Sequence, residues 1–301
     1  MEMIPLEALP LIGIVTVLFN SEAVLPGFFE SLAKQEGIRY KLYVIDNSPK
    51  DGGTLLSREL AARYGIDAIV HFNNANGGVA KGNNQGIALA RADHCDYILL
   101  ANNDTEFGSQ TIRLLQDALV KDGESVATPK IMYYDKPNVI WYAGGHLNLW
   151  LARTLHHGQN ERDSTYYATR CHVEYAPTCF LMLESGIFDL VGRMDEHFFV
   201  YYDDTDFMWR LKQKHVQTVF VPNARVYHKV SSSTGGSLST FSIYYGNRNR
   251  ILFVKKHIHG MRRFTALSYI FLGRIYYLTT CDRVTKTAIM RGIIHGLRSE
   301  T

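Results

Sequence analysis

No stretch of this 301-residue sequence is apolar for long enough to cross a bilayer. The best candidate, residues 11–19 (LIGIVTVLF), is too short for that and reads as a buried strand. The first ten residues carry Glu2 and Glu7 where a secretory leader would carry positive charge. Cysteine is scarce as well. Cys95, Cys171, Cys179 and Cys281 fall at irregular spacing with no paired metal-ligand pattern, as expected of reduced thiols in a cytosolic protein. Low-complexity tracts and internal repeats are missing, and 46% of the residues are hydrophobic, so a folded chain with a substantial core is expected. There is no Gly-x-x-x-x-Gly-Lys-Ser/Thr loop, which argues against an NTPase. The one glycine-rich run, Gly77-Gly78-Val79-Ala80-Lys81-Gly82, has the wrong spacing and position for a dinucleotide fingerprint, which argues against a nicotinamide oxidoreductase.

The net charge of +3 is unevenly placed. From Lys255 to the end, nine Lys or Arg face only Asp282 and Glu300, and the preceding part is close to neutral or slightly acidic. No zinc-finger or RNP-like signature accompanies this basic tail, so nucleic acid is not the expected partner. An anionic membrane surface or a phosphate-bearing acceptor fits the charge better.

What the sequence does contain is alternation. Residues 11–19, 41–45, 66–72 and 97–100 read as strands; residues 23–35, 54–64, 80–92 and 109–122 read as helices. That order predicts an α/β fold with a mostly parallel, doubly wound sheet, which binds ligands at the carboxyl ends of its strands. The four strand ends are all polar: Asn20-Ser21-Glu22, then Asp46-Asn47-Ser48, then Asn73-Asn74-Ala75-Asn76, then Asn102-Asn103-Asp104. One such end is ordinary turn chemistry, whereas four along one edge suggest a crevice for a polar ligand. In the second half, residues 174–183 read as extended, 184–191 as a short helix and 216–221 as a strand. A flexible segment is expected at 231–237 (SSSTGGS), with a helical pattern from Leu238 onward.

Three places carry candidate chemistry. Asp104 can hold a divalent cation at a strand end, or it can cap the helix beginning near Ser109 or close a turn. Asp203-Asp204-Thr205-Asp206 follows the aromatic run Phe198-Phe199-Val200-Tyr201-Tyr202. Helix capping explains one of these acids; mutual repulsion behind an apolar run is expected to raise the pKa of another, as a general base requires. His228 ends the late strand and is either a satisfied structural imidazole or a second metal ligand.

In order, VTVLFN (15–20), VIDNSPKDG (44–52), NNANGGVAKGNNQGI (73–87), YILLANNDT (97–105) and FFVYYDDTDFMWR (198–210) resemble the family-2 glycosyltransferases of the GT-A fold. The nearest likeness within them is to rhamnosyltransferase-like enzymes of bacterial surface-polysaccharide assembly. The resemblance covers residues 11–256. It implies a catalytic domain at 1–256, with a nucleotide-binding half at about 11–130 and an acceptor half at about 131–256. The tail at 257–301 matches no motif of the family; its basic residues interleaved with aromatics read as an amphipathic helical appendage that contacts a membrane, packs on the domain or forms a homodimer. The resemblance further implies that Asp46 contacts the donor base, with Asn20, Asn76, Gly77 and Lys81 completing the nucleoside pocket. Asn102, Asn103 and Asp104 stand at the family's Asp-x-Asp position. Asp104 would be the carboxylate that binds Mg²⁺ or Mn²⁺, with His228 completing the metal site. Asp204 matches the catalytic base, and Asp203 stands where many relatives carry Glu. Two departures are an Asn in place of the first acid of the metal motif, and Lys81 where a small residue is usual. The implied reaction is inverting transfer of a sugar, rhamnose from dTDP-rhamnose, to a saccharide or lipid-linked saccharide. It would take place in the cytoplasm or at the inner face of the membrane. The alternatives are UDP-dependent galactosyl or other hexosyl transfer, a sugar-nucleotide hydrolase, and a non-catalytic module that binds nucleotide sugars.

Overall fold

The computed structural model describes residues 9–230 and 239–300. The first eight residues and the 231–237 segment expected to be flexible lie outside the described residues. The first half follows the alternation closely. Strands β1 (Leu11–Leu18), β2 (Arg39–Asp46), β3 (Ala68–Phe72) and β4 (Tyr97–Ala101) are separated by helices α1 (Leu25–Ala33), α2 (Gly52–Tyr64) and α3 (Gly78–Ala92). All their pairings are parallel, in the order β3-β2-β1-β4. The direction of winding reverses between β1 and β4, so their carboxyl ends flank a topological switch point. Apart from the buried Thr16, β1 and β4 are apolar along their buried stretches because helices cover both faces of a parallel sheet. Helix α3 lies very close to β1. Cβ atoms built on Gly82 and Gly86 would fall 2.6 and 2.3 Å from the side chains of Val17 and Val15.

The second half adds β5 (Thr105–Phe107), α4 (Thr111–Val120), β6 (Val126–Tyr133), β7 (Ile140–Tyr142), β8 (Gly145–Asn148) and β9 (Arg153–His156). It continues with β10 (Cys171–Val173), β11 (Phe180–Glu184), α5 (Ile187–Val191), α6 (Asp203–Gln213) and β12 (Thr218–His228). The sheet order is β10-β12-β6-β11-β4-β1-β2-β3. β11 inserts antiparallel between β4 and β6, β12 runs parallel to β6, and β5 pairs antiparallel with the end of β12. β8 and β9 form a hairpin off the main sheet. β6 escaped the sequence reading because Pro129 and Lys130 interrupt it. Both are accommodated: the β6–β12 register shifts opposite them, where a missing N–H is tolerated. Lys130, 1% exposed, places its ammonium 2.7 Å from Asp163. Within the 174–183 segment, β11 begins only at Phe180, whereas β12 runs seven residues beyond the 216–221 stretch.

Three helices close the chain: α7 (Thr240–His257), α8 (Gly260–Thr280) and α9 (Arg283–Arg298). α7 and α9 pack side by side, because Gly292 and Gly296 let α9 approach the Tyr244 and Arg248 carbonyls. A second core forms here from Leu252, Phe253, Ile270, Ile289 and Ile293, and it takes in Phe198 and Ala152 of the preceding part. α7 ends at His257 and shares this core with the preceding part and with α8 and α9.

Candidate active site

Two clefts open along the carboxyl edge of the sheet and meet at Asn102, Asp104, Val79 and Val200. The first, about 290 Å³, is lined by the ends of β1 and β4, by Asn47, Asn76 and Gly78, and by Phe199 and Phe241. The second, about 400 Å³, is lined by Trp141, Thr154, His156, Tyr175, Tyr202, Asp203, Asp204 and His228 among others.

Of the residues expected around a nucleoside, Asn76, Asn102 and Asn103 line the first cleft, whereas Asn20, Asp46, Gly77 and Lys81 lie outside its lining. Asp46 is fully buried, and both its oxygens are occupied by the Ser48 N–H at 2.9 Å and the Thr54 hydroxyl at 2.8 Å. It braces the turn from β2 to α2, and its neighbour Asn47 faces the cleft. Asn20, at φ 50°, donates its N–H to the Ser48 hydroxyl and ties the ends of β1 and β2 together. Asn103 donates to the Val17 carbonyl at 2.6 Å, and Asn102 is exposed between the two clefts. Lys81 is exposed on the first turn of α3.

Asp104 is not a helix cap, since α4 is capped at Gln110. Antiparallel pairing of β5 with β12 sets Thr105 opposite His228, and the Lys229 N–H donates to the Asp104 carbonyl at 2.9 Å. This brings His228 Nε2 to 3.2 Å from Asp104 Oδ1, both residues being buried. Adjacent ligand atoms of an octahedral ion with bonds near 2.1 Å are about 3.0 Å apart, so one carboxylate oxygen and one imidazole nitrogen at this spacing fit a small divalent cation. Among the described residues no third His, Cys, Asp or Glu joins them. Diphosphate and water oxygens would fill the remaining positions. The edge of Trp141 holds the His228 ring, centroid to centroid 5.0 Å.

The three acids at the start of α6 have diverged. None is the cap, which is Tyr202 in a left-handed conformation. Asp206 is fully buried against His257, Arg210 and Lys256. Burial alone would raise its pKa, but these three partners outweigh it and hold the carboxyl at about 2. Asp203 is pushed up to about 8, by burial first and then by the charge of Asp204. The expected rise thus falls on Asp203. Asp204 is half-buried and faces the second cleft, accepting from the Tyr175 hydroxyl at 2.5 Å and from the Thr205 N–H and hydroxyl at 2.6 and 3.1 Å. Tyr175 stacks on His156 at 5.6 Å. Burial lowers the His156 pKa, so the ring is neutral at pH 7; its Nδ1 lies 3.1 Å from the Trp141 carbonyl, which can only accept.

Asp203 has a consequence for stability. Between its ordinary value of 3.8 and about 8 the native state holds one more proton than the unfolded chain, so stability falls as pH rises through that window. Asp203→Asn is expected to flatten this fall and to raise Tm by a few degrees at pH 8. Melting curves from pH 4 to 9 test this; parallel pH profiles for the two proteins would refute it.

The profile of glycosyl transferase family 2 matches residues 13–183. The chain belongs to glycosyl transferase family 2. This family-2 chain is 21% identical over 300 residues to the low-salt glycan biosynthesis hexosyltransferase Agl10 of Haloferax volcanii, covering 96% of this chain and 92% of that protein. It is 28% identical over 161 residues to the N-acetylglucosaminyl-diphospho-decaprenol L-rhamnosyltransferase of Mycobacterium tuberculosis, covering 46% of this chain and 49% of that one. Its fold matches GalNAc-T7 solved with UDP, GalNAc and Mn²⁺, with TM-score 0.62 and 15% identity over 91% of this chain and 58% of that chain. It also matches the mannosyltransferase PcManGT of Pyrobaculum calidifontis, solved with GDP-Man and Mn²⁺, with TM-score 0.58 and 10% identity over 97% and 76% of the two chains. The glycosyltransferase adopts the GT-A fold with added carboxyl-terminal helices.

Part of the family-2 site had no readable signature. Trp141, Thr154 and His156 reach the second cleft from β7 and from the β8–β9 hairpin, short elements with no strand periodicity to mark them. Phe241 reaches the first cleft from α7.

Proposed function

We propose that the first cleft takes a nucleotide-diphosphate sugar and the second a saccharide acceptor, with transfer across their junction at Asn102 and Asp104. The observation that carries this is the pair of joined clefts with Asp104 at the junction, His228 beside it in the second cleft, and Asp204 in the acceptor wall. On this reading the nucleotide-binding half at about 11–130 supplies most of the first cleft and the acceptor half at about 131–256 most of the second, while Phe199, Val200 and Phe241 also line the first and Val79, Asn102 and Asp104 the second. A cation of the Mg²⁺ or Mn²⁺ class, held by Asp104 and His228, would supply charge neutralisation to the departing diphosphate. Asp204, its carboxylate aimed by Tyr175 and Thr205, accepts the proton of the acceptor hydroxyl. The hydroxyl oxygen bonds to the anomeric carbon from the face opposite the diphosphate as the sugar–phosphate bond breaks, inverting the centre. No lysine or arginine lines the second cleft among the described residues, which disfavours an anionic group at the reacting part of the acceptor.

Rhamnose from dTDP-rhamnose is the first donor to test, on the partial match to the mycobacterial rhamnosyltransferase. The match to Agl10 across the whole chain favours a second reading, transfer of another hexose; UDP, present in the GalNAc-T7 structure, is the donor nucleotide to test for it. Thermal-shift measurements with dTDP, UDP and GDP, with and without Mn²⁺, separate these. The donor nucleotide is expected to raise Tm in a metal-dependent way, since a ligand of the native state alone stabilises it. No shift with any nucleotide would count against the donor cleft.

We further propose that the helical tail rests on an anionic membrane, as suits a lipid-linked acceptor in surface-polysaccharide synthesis. No described helix is long and apolar enough to cross a bilayer. α8 nevertheless leaves Met261, Phe264, Leu272 and Ile275 exposed along one face, and α9 does the same with Met290, Ile294 and Leu297. From Gly260 to Arg298 the only acid is Asp282, against seven Lys or Arg. Co-sedimentation with phosphatidylglycerol vesicles at low salt is expected, and to weaken as salt screens the charge. A homodimer in solution with no vesicle binding would instead assign these faces to a second copy.

A further inference from the structure

The loop that delivers Asp203 and Asp204 runs against the backbone's own preferences. Phe199, Tyr201 and Tyr202 stand at φ 61°, 62° and 64°, a region that aromatic side chains rarely enter. Phe199, at ψ −61°, is the centre of a tight γ-turn, with the Val200 N–H on the Phe198 carbonyl at 2.6 Å. Such a course persists only when the surroundings over-determine it.

The surroundings do so through one helix face. Phe241, Tyr245 and Asn249 recur every four residues along α7. Phe241 lines the first cleft, and Tyr245 stacks on Phe199 with ring centroids 5.0 Å apart. Asn249, fully buried, directs its amide nitrogen at the carbonyls of Phe198, Val200 and Tyr201, at 2.6, 2.7 and 2.9 Å. Its oxygen accepts from Arg248, which also binds the His197 carbonyl. The amide orientation is dictated, because the opposite one would set an oxygen against three carbonyls. The remaining carbonyl of the loop, that of Phe199, accepts the Val79 N–H from the donor turn at 2.6 Å. Four consecutive carbonyls are therefore held, three of them by Asn249 and one by the donor turn.

We propose that Asn249 is a positioning residue for transfer: its amide fixes the 198–202 loop and thereby sets Asp204 relative to the donor cleft. This rests on Asp204 serving as the base. The donor turn and the acceptor wall share this one support, so loosening it disturbs the step that needs both rather than the binding of either ligand alone.

Two variants test it. Asn249→Asp keeps the shape but sets a carboxylate against three carbonyls, and Asn249→Ser keeps one short donor, which covers failure of the first to fold. Amide hydrogen exchange needs no substrate. Protection of the Val79 and Val200 amides is expected to fall at least about tenfold, while the buried amides of α7 and β1 keep theirs. Release of nucleoside diphosphate, measured from dTDP-rhamnose and UDP-galactose with saccharide acceptors, is expected to show kcat down about 10²-fold with donor KM nearly unchanged. Wild-type protection at Val79, or wild-type kcat in a folded variant, overturns the proposal. Asp204→Asn is measured alongside: if it too keeps full turnover, the base assignment fails, whereas if it alone is inactive, only the role of Asn249 fails.

Discussion

Asp204→Asn is expected to lower turnover by about 10²–10⁴-fold, the usual contribution of a positioned general base, while donor affinity stays close to wild type. The substitution is nearly isosteric, and the remaining amide oxygen still accepts from Thr205, so the start of α6 should keep its place. What disappears, on the proposed mechanism, is the acceptor of the hydroxyl proton. Asp204 lies in the wall of the second cleft and is absent from the lining of the first, so nucleotide binding has no reason to change. Calorimetry with the donor nucleotide and initial rates with a saccharide acceptor give the two readouts. Near-wild-type rates would remove Asp204 from the chemistry. Tyr175 sharpens the expectation, since its hydroxyl holds the carboxylate at 2.5 Å and orients the oxygen that must receive the proton.

The second large effect belongs to Asp104→Ala. It removes one of two protein groups placed to hold a cation and leaves His228 alone at 3.2 Å from an empty volume. Metal affinity is expected to drop by well over tenfold, beyond what loss of an outer partner alone costs, and nucleotide binding should then no longer respond to Mn²⁺. Titration of UDP or dTDP with and without Mn²⁺ measures this directly. If the variant retains the full metal response, the cation sits elsewhere, and the Asp104–His228 pair is a structural contact between β5 and β12.

The polar strand ends around the first cleft were legible in the sequence because they are built locally, although Asn20, Asp46, Gly77 and Lys81 fall outside the cleft's lining. Each β–α unit between Leu11 and Asp104 carries its own short strand-forming run and ends in its own polar turn. Asp104 and His228 were each visible as strand ends, but their approach was not, because it depends on the pairing of Thr105 with a residue more than a hundred positions later. The acceptor side was hardly visible. Trp141, Thr154 and His156 sit on strands of three and four residues, too short to show alternation. Asn249 lies in the middle of a helix, where an isolated polar residue reads as solvent-facing. Its burial follows only from the carbonyls of a loop some fifty residues earlier. Asp46 illustrates the reverse difficulty: the resemblance implies a contact with the donor base, whereas in the structure it is fully buried, accepts from Thr54 eight residues on, and leaves the lining of the cleft to Asn47.

The β8–β9 hairpin stands apart from the main sheet, and its strands pair only with each other. Thr154 and His156 ride on it into the second cleft, while the first cleft takes nothing from it. Diversification can therefore act on one substrate at a time. Grafting this hairpin from a relative would exchange the part of the second cleft's wall that carries Thr154 and His156 and leave the lining of the first cleft in place.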